Sequence, residues 1–127
     1  MKDNKEMSIN VYYLDDEVDL LDVFYEIYSS SEINITTFSH PEKAIEAIRA
    51  APPDLLLLDN RLPGTTGDII AQKLDPNIPK ALISGDLTLE PKADFVRVFS
   101  KPFSSKEMAD FLEYYVKNKL ELRKKYA

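Results

Sequence analysis

The sequence predicts an α/β fold in which a parallel sheet carries helices on both faces. Short β-branched, aromatic or leucine-rich runs alternate along the chain with segments of helical periodicity. Parallel strands need long crossover connections, which helices usually supply. The chain has 127 residues, 44% of them hydrophobic, which is enough for one domain with a substantial core.

Composition and charge exclude several classes of protein. The chain has no cysteine, which excludes disulfides and cysteine-bound metal, and it lacks the apolar N-terminal stretch of a secretory signal. Sixteen basic and 22 acidic residues give a net charge of -6, which disfavours binding to nucleic acid or to an anionic membrane. No apolar run approaches the ~18 residues that cross a bilayer. We therefore expect a cytoplasmic protein whose partners are proteins or small ions.

The first half of the chain predicts two strand–helix units. Residues 9–14 (INVYYL) form the first strand, and a helix follows the DDE segment. The apolar positions of this helix are Val18, Leu21, Phe24 and Ile27. Residues 33–38 (INITTF) form the second strand. Ser39 and Glu42 then have the spacing of a capping box, which predicts the start of a second helix.

The middle of the chain predicts a strand that is buried on both faces. Residues 55–58 are four consecutive leucines, the pattern expected of a central strand in a parallel sheet. The PGTTG segment at 63–67 predicts a loop. Residues 68–74 (DIIAQKL) allow about two helical turns before prolines end the helix. The third helix is therefore expected to be short.

The last third of the chain predicts two more strands and a long helix. The strands are residues 80–84 (KALIS) and 95–100 (FVRVFS), and Ser104 with Glu107 forms a capping box that opens the last helix. The apolar positions of that helix are Phe111, Leu112, Tyr115 and Leu120. The segment between the two strands contains a proline and little helical periodicity. We expect the fourth helix to be a single turn or absent.

Chemically active side chains follow four of the predicted strands. In parallel α/β sheets, ligands bind outside the carboxyl ends of the strands, near the point where the strand order reverses. The residues at these ends are Asp15, Asp16 and Glu17; Asp59 and Asn60; Ser84 and Gly85; Lys101 and Pro102. Carboxylates gathered there repel one another by roughly 4 kcal/mol per pair, at ~4 Å and an effective dielectric of ~20. The arrangement therefore needs a compensating cation.

A magnesium site with an aspartyl nucleophile fits this set of side chains. Mg²⁺ prefers carboxylate, carbonyl and water oxygens, and a carboxylate beside it can attack phosphorus. Lys101, Ser84 and the backbone amides after Asp59 would donate to the phosphoryl oxygens. Capping of a helix alone explains an acid pair such as Asp15 and Asp16. The whole set favours a metal role.

Four segments, YYLDDE, LLLLDNRLPG, ALISG and SKPF, resemble in this order the four motifs of the receiver domain of two-component response regulators. The resemblance implies a flavodoxin-like, doubly wound (βα)5 sheet of the CheY type with strand order 2-1-3-4-5. Gly67, Ser84 and Lys101 are successively 17 positions apart, which is about one helical turn less per interval than in most receivers. We expect one receiver domain over 1–127, with an N-terminal extension at 1–8 and no output domain.

The resemblance also implies the ligands of a magnesium ion. Asp16 would bind Mg²⁺ directly, and Asp15 would act mostly through water. Asp59 and the backbone carbonyl of Arg61 would complete the protein ligands.

A phosphoryl group on Asp59 is the central expectation from this resemblance. A histidine kinase or phosphotransfer protein would supply it. Ser84 would bond a phosphoryl oxygen, Lys101 would pair with the group, and the peptide before Pro102 would be cis. Gly85 would leave room for the group, and Asn60 and Arg61 would modulate the site together with it.

Two residues depart from the receiver pattern. Val98 stands three positions before Lys101, where receivers usually carry an aromatic side chain that swings inward. Phe99 should point to the opposite face of its strand. Arg61 stands two residues after the acceptor, and we expect it to change the lifetime of the phosphorylated state.

Three functions are compatible with these motifs. The first is a stand-alone receiver that signals by binding a downstream protein and is not an enzyme beyond catalysing its own phosphorylation and dephosphorylation. The second is a pseudo-receiver, a binding module of the same fold without a phosphorylation-dependent switch. The third is a Mg²⁺-dependent phosphohydrolase that resembles haloacid dehalogenase-type enzymes. Those enzymes need a second acid two residues after the nucleophile, where this chain has Arg61.

Overall fold

A computed structural model describes the backbone of residues 8–126 and the side chains of residues 8–119. The elements are β1 (Ile9–Leu14), α1 (Val18–Tyr28), β2 (Ile33–Phe38), α2 (Pro41–Ala50), β3 (Leu55–Asp59), β4 (Arg61–Leu62), β5 (Thr65–Thr66), α3 (Gly67–Gln72), β6 (Lys80–Ser84), β7 (Arg97–Ser100) and α4 (Ser105–Tyr126). Except for Ser8, the predicted N-terminal extension lies outside the described residues, and so does the side chain of Leu120.

Five strands form one parallel sheet in the order β2-β1-β3-β6-β7. In the numbering of the five predicted strands this is the order 2-1-3-4-5, so the predicted fold class is confirmed. Strand order reverses between β1 and β3, which places the carboxyl ends of these two strands side by side. The last strand is shorter than predicted, because the ladder with β6 begins at Arg97 and not at Phe95.

The sheet separates two apolar layers. All four leucines of residues 55–58 are fully buried, and they alternate between the layers as a strand requires. Helices α1 and α4 cover one face through residues such as Phe24 and Phe111. Helices α2 and α3 cover the other, where Ile48 and Ile70 pack. The prediction of a central strand buried on both sides is confirmed.

The predicted apolar face of α1 is partly wrong. Leu21 and Phe24 are buried, but Val18 and Ile27 are 54% and 58% exposed. Tyr28 is buried instead and packs against Phe24, with ring centroids 4.6 Å apart. The buried stripe is therefore shifted, and apolar side chains of α1 are left at the surface.

The two predicted capping boxes have different outcomes. Ser39 does not cap α2: the helix begins after His40 with Pro41 in its first turn, and no side chain caps it. Proline suits this position because its fixed φ matches the helix and no amide there needs a partner. At the start of α4, Ser104 Oγ accepts a hydrogen bond from the Glu107 amide at 3.0 Å. The Glu107 side chain pairs with Arg97 at 2.8 Å.

A small hairpin occupies the segment that was predicted to be a loop. Strands β4 and β5 pair antiparallel, with Arg61 opposite Thr66. Pro63 and Gly64 form the turn between them, and the φ of Gly64 is 71°. A proline followed by a residue of positive φ is typical of a type II turn. The hairpin leads directly into α3, where Thr66 Oγ1 accepts a hydrogen bond from the Ile69 amide at 3.1 Å.

The described segment 85–96 contains no helix, as the sequence predicts. Leu89, Ala93 and Phe95 are half-buried against the layer of α2 and α3. The carboxylate of Asp68 accepts hydrogen bonds from the amides of Lys92 and Ala93 at 2.9 Å each. This segment thus crosses the sheet as an irregular strap held by α3.

Within the described residues, no helix is both long enough and apolar enough to cross a membrane.

Candidate functional site

The predicted site residues meet at the carboxyl edge of the parallel sheet. Asp59 ends β3 opposite Ile83 of β6. Next to it, Ser84 ends β6, and its carbonyl accepts the Lys101 amide at 2.9 Å. Because the strands are buried and in register, the side chains that follow them are fixed relative to one another.

Lys101 joins two acids that are far apart in the sequence. Its Nζ lies 3.0 Å from Asp59 Oδ1 and 3.3 Å from Asp15 Oδ2. Both carboxylates are buried, with residue exposures of 3% for Asp59 and 0% for Asp15. The peptide between Lys101 and Pro102 is cis, as the resemblance implies. The three charges form one compact cluster in which a single cation faces two anions.

Burial and charge shift the pKa values of this cluster. Burial raises the pKa of Asp59 above its ordinary value; Lys101 opposes the rise, and the charges of Asp15 and Asp16 add to it. Burial acts to lower the pKa of Lys101, but the contacts with Asp59 and Asp15 outweigh it and the pKa is raised. Lys101 therefore stays charged near neutral pH, while ionised Asp59 remains an unfavourable buried charge.

Asp15 is held by three donors. Its Oδ2 accepts the Tyr13 hydroxyl at 2.7 Å and Lys101 Nζ at 3.3 Å, and its Oδ1 accepts the Glu17 amide at 3.0 Å. Burial, together with the bond to Asp15, raises the pKa of Tyr13 far above its ordinary range. The phenol is therefore a permanent donor at physiological pH. Tyr13 and Asp15 are two positions apart and lie on one side of the strand, a relation that the sequence already contains.

A polar cavity of about 500 Å³ opens over the cluster. It is lined by Asp16, Glu17, Asp59, Asn60, Arg61, Ser84, Gly85, Asp86 and Lys101. Every predicted site residue except Asp15 lines it, and Asp15 lies beneath, bonded to Lys101. A Cβ atom at Gly85 would meet nothing within 4 Å, so the wall at this position is open.

Three acids, two that line the cavity and one that lies beneath it, could hold a divalent cation. Ligand oxygens of Asp15, Asp16 and Glu17 lie within 4.8 Å of one another. Asp16 and Glu17 are exposed, whereas Asp15 is buried. An all-oxygen, mostly carboxylate donor set suits a hard cation such as Mg²⁺ and not zinc. The chemistry of these residues therefore fits the predicted metal.

The loop after Asp59 is fixed by backbone bonds and by one glycine. The Asn60 amide donates to Ile83 O at 2.9 Å, and the Asn60 carbonyl accepts the Gly67 amide at 3.0 Å. A Cβ atom at Gly67 would lie 2.5 Å from the carbonyl oxygen of Asp59. A side chain there would displace the acceptor loop, so Gly67 supports the site. Arg61 is exposed on β4 and faces the cavity.

Sequence reasoning missed some members of the site. Glu17 joins the acid cluster although the predicted ligands ended at Asp16; its signal was the third consecutive acid in DDE. Asp86 lines the cavity, and its amide donates to Ser84 Oγ at 3.0 Å. Thr88 bonds to the Asp86 carboxylate and lowers its pKa. Tyr13 is not among the predicted site residues, so its bond to Asp15 was missed.

Val98 and Phe99 lie on opposite faces of β7, as predicted. Phe99 is fully buried and belongs to the layer of α1 and α4. Val98, the preceding residue of the strand, points to the other face and is 46% exposed. Valine has no aromatic ring, so position 98 cannot supply the side chain that swings inward in most receivers.

Comparison with known proteins identifies relatives of this arrangement. The model of the response regulator receiver domain family matches residues 11–113. The transcriptional regulatory protein BaeR of Escherichia coli O6:H1 is 28% identical over 112 residues, which cover 81% of this chain and 46% of BaeR. This chain thus spans about half the length of that curated relative.

Solved structures share the fold. A CheY-like receiver domain protein from Methanospirillum hungatei superposes with a TM-score of 0.79 at 18% identity, covering 90% of this chain and 98% of that one. The receiver domain of a LuxO repressor protein from Vibrio parahaemolyticus gives a TM-score of 0.76 at 17% identity, covering 91% and 95%.

Proposed function

Because this chain belongs to the response regulator receiver domain family of two-component signalling, we propose that it accepts a phosphoryl group on Asp59 from a histidine kinase or phosphotransfer protein. The observation that carries the proposal is the buried contact between Asp59 Oδ1 and Lys101 Nζ at 3.0 Å, at the floor of a polar cavity. Lys101 favours the ionised form of Asp59 against the effect of burial, and an ionised carboxylate in a site open to ligand is a suitable nucleophile.

Magnesium is part of this proposal. Asp16 and Asp59 would hold the ion with the backbone carbonyl of Arg61, and Asp15 would act mostly through water. The ion would neutralise charge on the phosphoryl oxygens. The fit rests on the oxygen donors of the acid cluster. Glu17 is an additional candidate ligand.

Asp59, Lys101 and Ser84 each have a separate role in the proposed phosphoryl transfer. One carboxylate oxygen of Asp59 attacks phosphorus, the new O–P bond forms, and the N–P bond of the phosphohistidine breaks. The imidazole keeps the electron pair of that bond and takes up a proton from solvent. Lys101 already pairs with Oδ1, which leaves Oδ2 for the attack. The Ser84 hydroxyl, now bonded to the Asp86 amide, would turn to donate to a phosphoryl oxygen.

Three more residues would shape the phosphorylated state. Gly85 would give the phosphoryl group room, since apart from its two chain neighbours no residue comes within 4 Å of a Cβ built there. The side-chain carbonyl of Asn60 accepts the Asp68 amide at 3.4 Å, which holds Asn60 at the cavity wall. Arg61 can reach the phosphoryl group from β4 and shield it from water.

The partners are proposed to be proteins and not nucleic acid. The net charge of -6 opposes binding to DNA or RNA. An apolar groove of about 500 Å³ lies beside the site, and Lys101 lines both cavities. Leu20, Val23 and Ile27 of α1 line this groove and are exposed. Exposed apolar surface next to a reaction site suits contact with a protein that delivers the phosphoryl group.

The proposal is tested with acetyl phosphate, Mg²⁺ and intact mass measurement. The native protein should gain about 80 Da, the mass of one phosphoryl group. Asp59→Asn should gain nothing, and neither should the native protein without Mg²⁺. Asp22→Asn, which changes an exposed acid of α1, is the matched control and should react like the native protein. An adduct that persists in Asp59→Asn would contradict the assignment of the acceptor.

The alternative is a pseudo-receiver that binds a partner without switching. Two observations favour it: the described strap 85–96 has no helix, and Val98 replaces the usual aromatic. Hydrogen exchange measured with and without acetyl phosphate separates the two functions. Slower exchange in the strap on phosphorylation supports a switching receiver. A change confined to the cavity residues, or no adduct at all, supports the pseudo-receiver.

A further inference from the structure

The side chain of Tyr13 reaches from the apolar layer into the acidic site. Its ring packs against Phe24 in a T-shaped contact, with centroids 4.7 Å apart. Its hydroxyl donates to Asp15 Oδ2 at 2.7 Å. This is the shortest of the three hydrogen bonds described at that carboxylate. Nothing in the proposed phosphoryl transfer uses it.

The bonds at Asp15 are divided between its two oxygens. Each carboxylate oxygen has about two acceptor positions. Tyr13 and Lys101 both donate to Oδ2. In the part of the chain that the structure describes, Oδ1 takes one donor, the Glu17 amide at 3.0 Å. Oδ1 is thus the oxygen with capacity left for a cation or for a water bound to one.

The Tyr13 hydroxyl also affects the position of Lys101. Lys101 Nζ lies closer to Asp59 than to Asp15, at 3.0 Å against 3.3 Å. Without the phenol, Asp15 would be a fully buried carboxylate with one donor fewer, and Lys101 is the nearest cation able to compensate. Lys101 would then move toward Asp15, its charge would oppose a cation there, and the carboxylate would turn toward Lys101 and away from the Glu17 amide.

We propose that Tyr13 is a positioning residue for the magnesium site, which holds Asp15 so that Oδ1 serves the ion and Lys101 serves Asp59. The inference rests on the proposed function, because it concerns the metal that phosphoryl transfer requires. Partners that orient a metal ligand from outside the coordination sphere commonly change metal affinity tenfold or more when they are removed.

The test compares Tyr13→Phe with Tyr12→Phe. Tyr13→Phe keeps the ring that packs on Phe24 and removes only the hydroxyl. Tyr12→Phe likewise removes a single phenol hydroxyl, which is bonded to Ala51 O at 2.9 Å on the other face of β1. Urea unfolding of both variants verifies that they are folded.

Two readouts are taken by NMR. In a Mg²⁺ titration, Tyr13→Phe should bind the ion about tenfold more weakly than the native protein. Without Mg²⁺, the Glu17 amide proton should move upfield as its bond to Asp15 loosens. Tyr12→Phe should leave both unchanged. Equal Mg²⁺ affinity in the native protein and Tyr13→Phe, or an unmoved Glu17 amide, would overturn the inference.

The outcome for the native protein separates this inference from the proposed function. If the native protein binds Mg²⁺ and forms the adduct while Tyr13→Phe behaves identically, only the role of Tyr13 fails. If the native protein binds no Mg²⁺, the metal-dependent function fails and the inference fails with it.

Discussion

The acidic edge of the sheet and the strap 85–96 are neighbours that are built in different ways. Asp59 is the last residue of β3 and Lys101 follows β7, and the ladders that these strands form with β6 fix the backbone there. The strap has no ladder, and the carboxylate of Asp68 holds it through the amides of Lys92 and Ala93. The edge brings together the site residues that the resemblance implies, while the described strap contains no helix. The two regions therefore depend on different contacts: strand ladders at the edge and the carboxylate of Asp68 at the strap.

The largest expected effect lies at β7, which follows the strap in the chain and ends at the acidic edge. Phe99 faces the layer of α1 and α4, with Phe111 at 5.1 Å and the Arg97 guanidinium at 4.7 Å from its ring centroid. Phe99→Ala should cost about 3–5 kcal/mol in the free energy of unfolding, because it leaves a cavity in a closed core. Val98→Ala, on the strap side, should cost less than about 1 kcal/mol. Urea unfolding measures both. Equal losses would show that the strap buries its face of β7 as fully as the helices bury theirs.

The sequence predicts the edge better than the strap, for physical reasons. The leucines 55–58 and the acid after them form a local pattern. The unbroken apolar run predicts a strand and its burial, and the ends of the strands predict the site residues. The path of the strap depends on Asp68, which bonds to residues 24 and 25 positions away. The start of α2 at Pro41 and the hairpin at β4 and β5 were also missed. The start of α2 was missed because Ser39 and Glu42 have the spacing of a capping box, whereas the helix begins at Pro41 and no side chain caps it. The hairpin was missed because only two residues of each strand are paired.

A second, smaller loss of stability is expected when the carboxylate that holds the strap is removed. Asp68→Ala removes the acceptor for the Lys92 and Ala93 amides and should cost about 1–2 kcal/mol. Hydrogen exchange at these two amides should become faster, while adduct formation with acetyl phosphate stays unchanged. Asp94→Ala, at an exposed acid of the strap, is the control. Slower adduct formation in Asp68→Ala would show that strap and edge are coupled.

A third prediction concerns the pH dependence of stability at the edge. The folded pKa of Asp59 is raised by burial, so folding takes up a proton between the ordinary carboxyl pKa, near 4, and the raised value. The contribution of Asp59 to the free energy of unfolding is fully present below that pH window, and it is lost as the pH rises through the raised pKa. Relative to Asp59→Asn, the native protein should therefore lose stability as the pH rises from about 4 toward neutral. Urea unfolding of both proteins across this range measures the difference. A difference that does not change with pH would mean that ionisation of Asp59 costs nothing in the folded state.

The smallest expected effect is on the lifetime of the phosphoryl group. Arg61 is exposed and lines the cavity, so its guanidinium can donate to phosphoryl oxygens and keep water away. Exposed ion pairs are worth at most about 1 kcal/mol, so Arg61→Ala should speed dephosphorylation by about threefold. Loss of the adduct mass with time measures the rate, with Arg49→Ala, an exposed arginine of α2, as the control. Equal dephosphorylation rates in the native protein and Arg61→Ala would mean that Arg61 does not act on the phosphoryl group. Slower loss of the adduct in Arg61→Ala would mean that Arg61 assists the attacking water. Arg61 lies on β4 and not in the strap, so Asp68→Ala should leave the rate of dephosphorylation unchanged. A change in Arg61→Ala but not in Asp68→Ala would show that the acidic edge, and not the strap, sets the lifetime of the phosphoryl group.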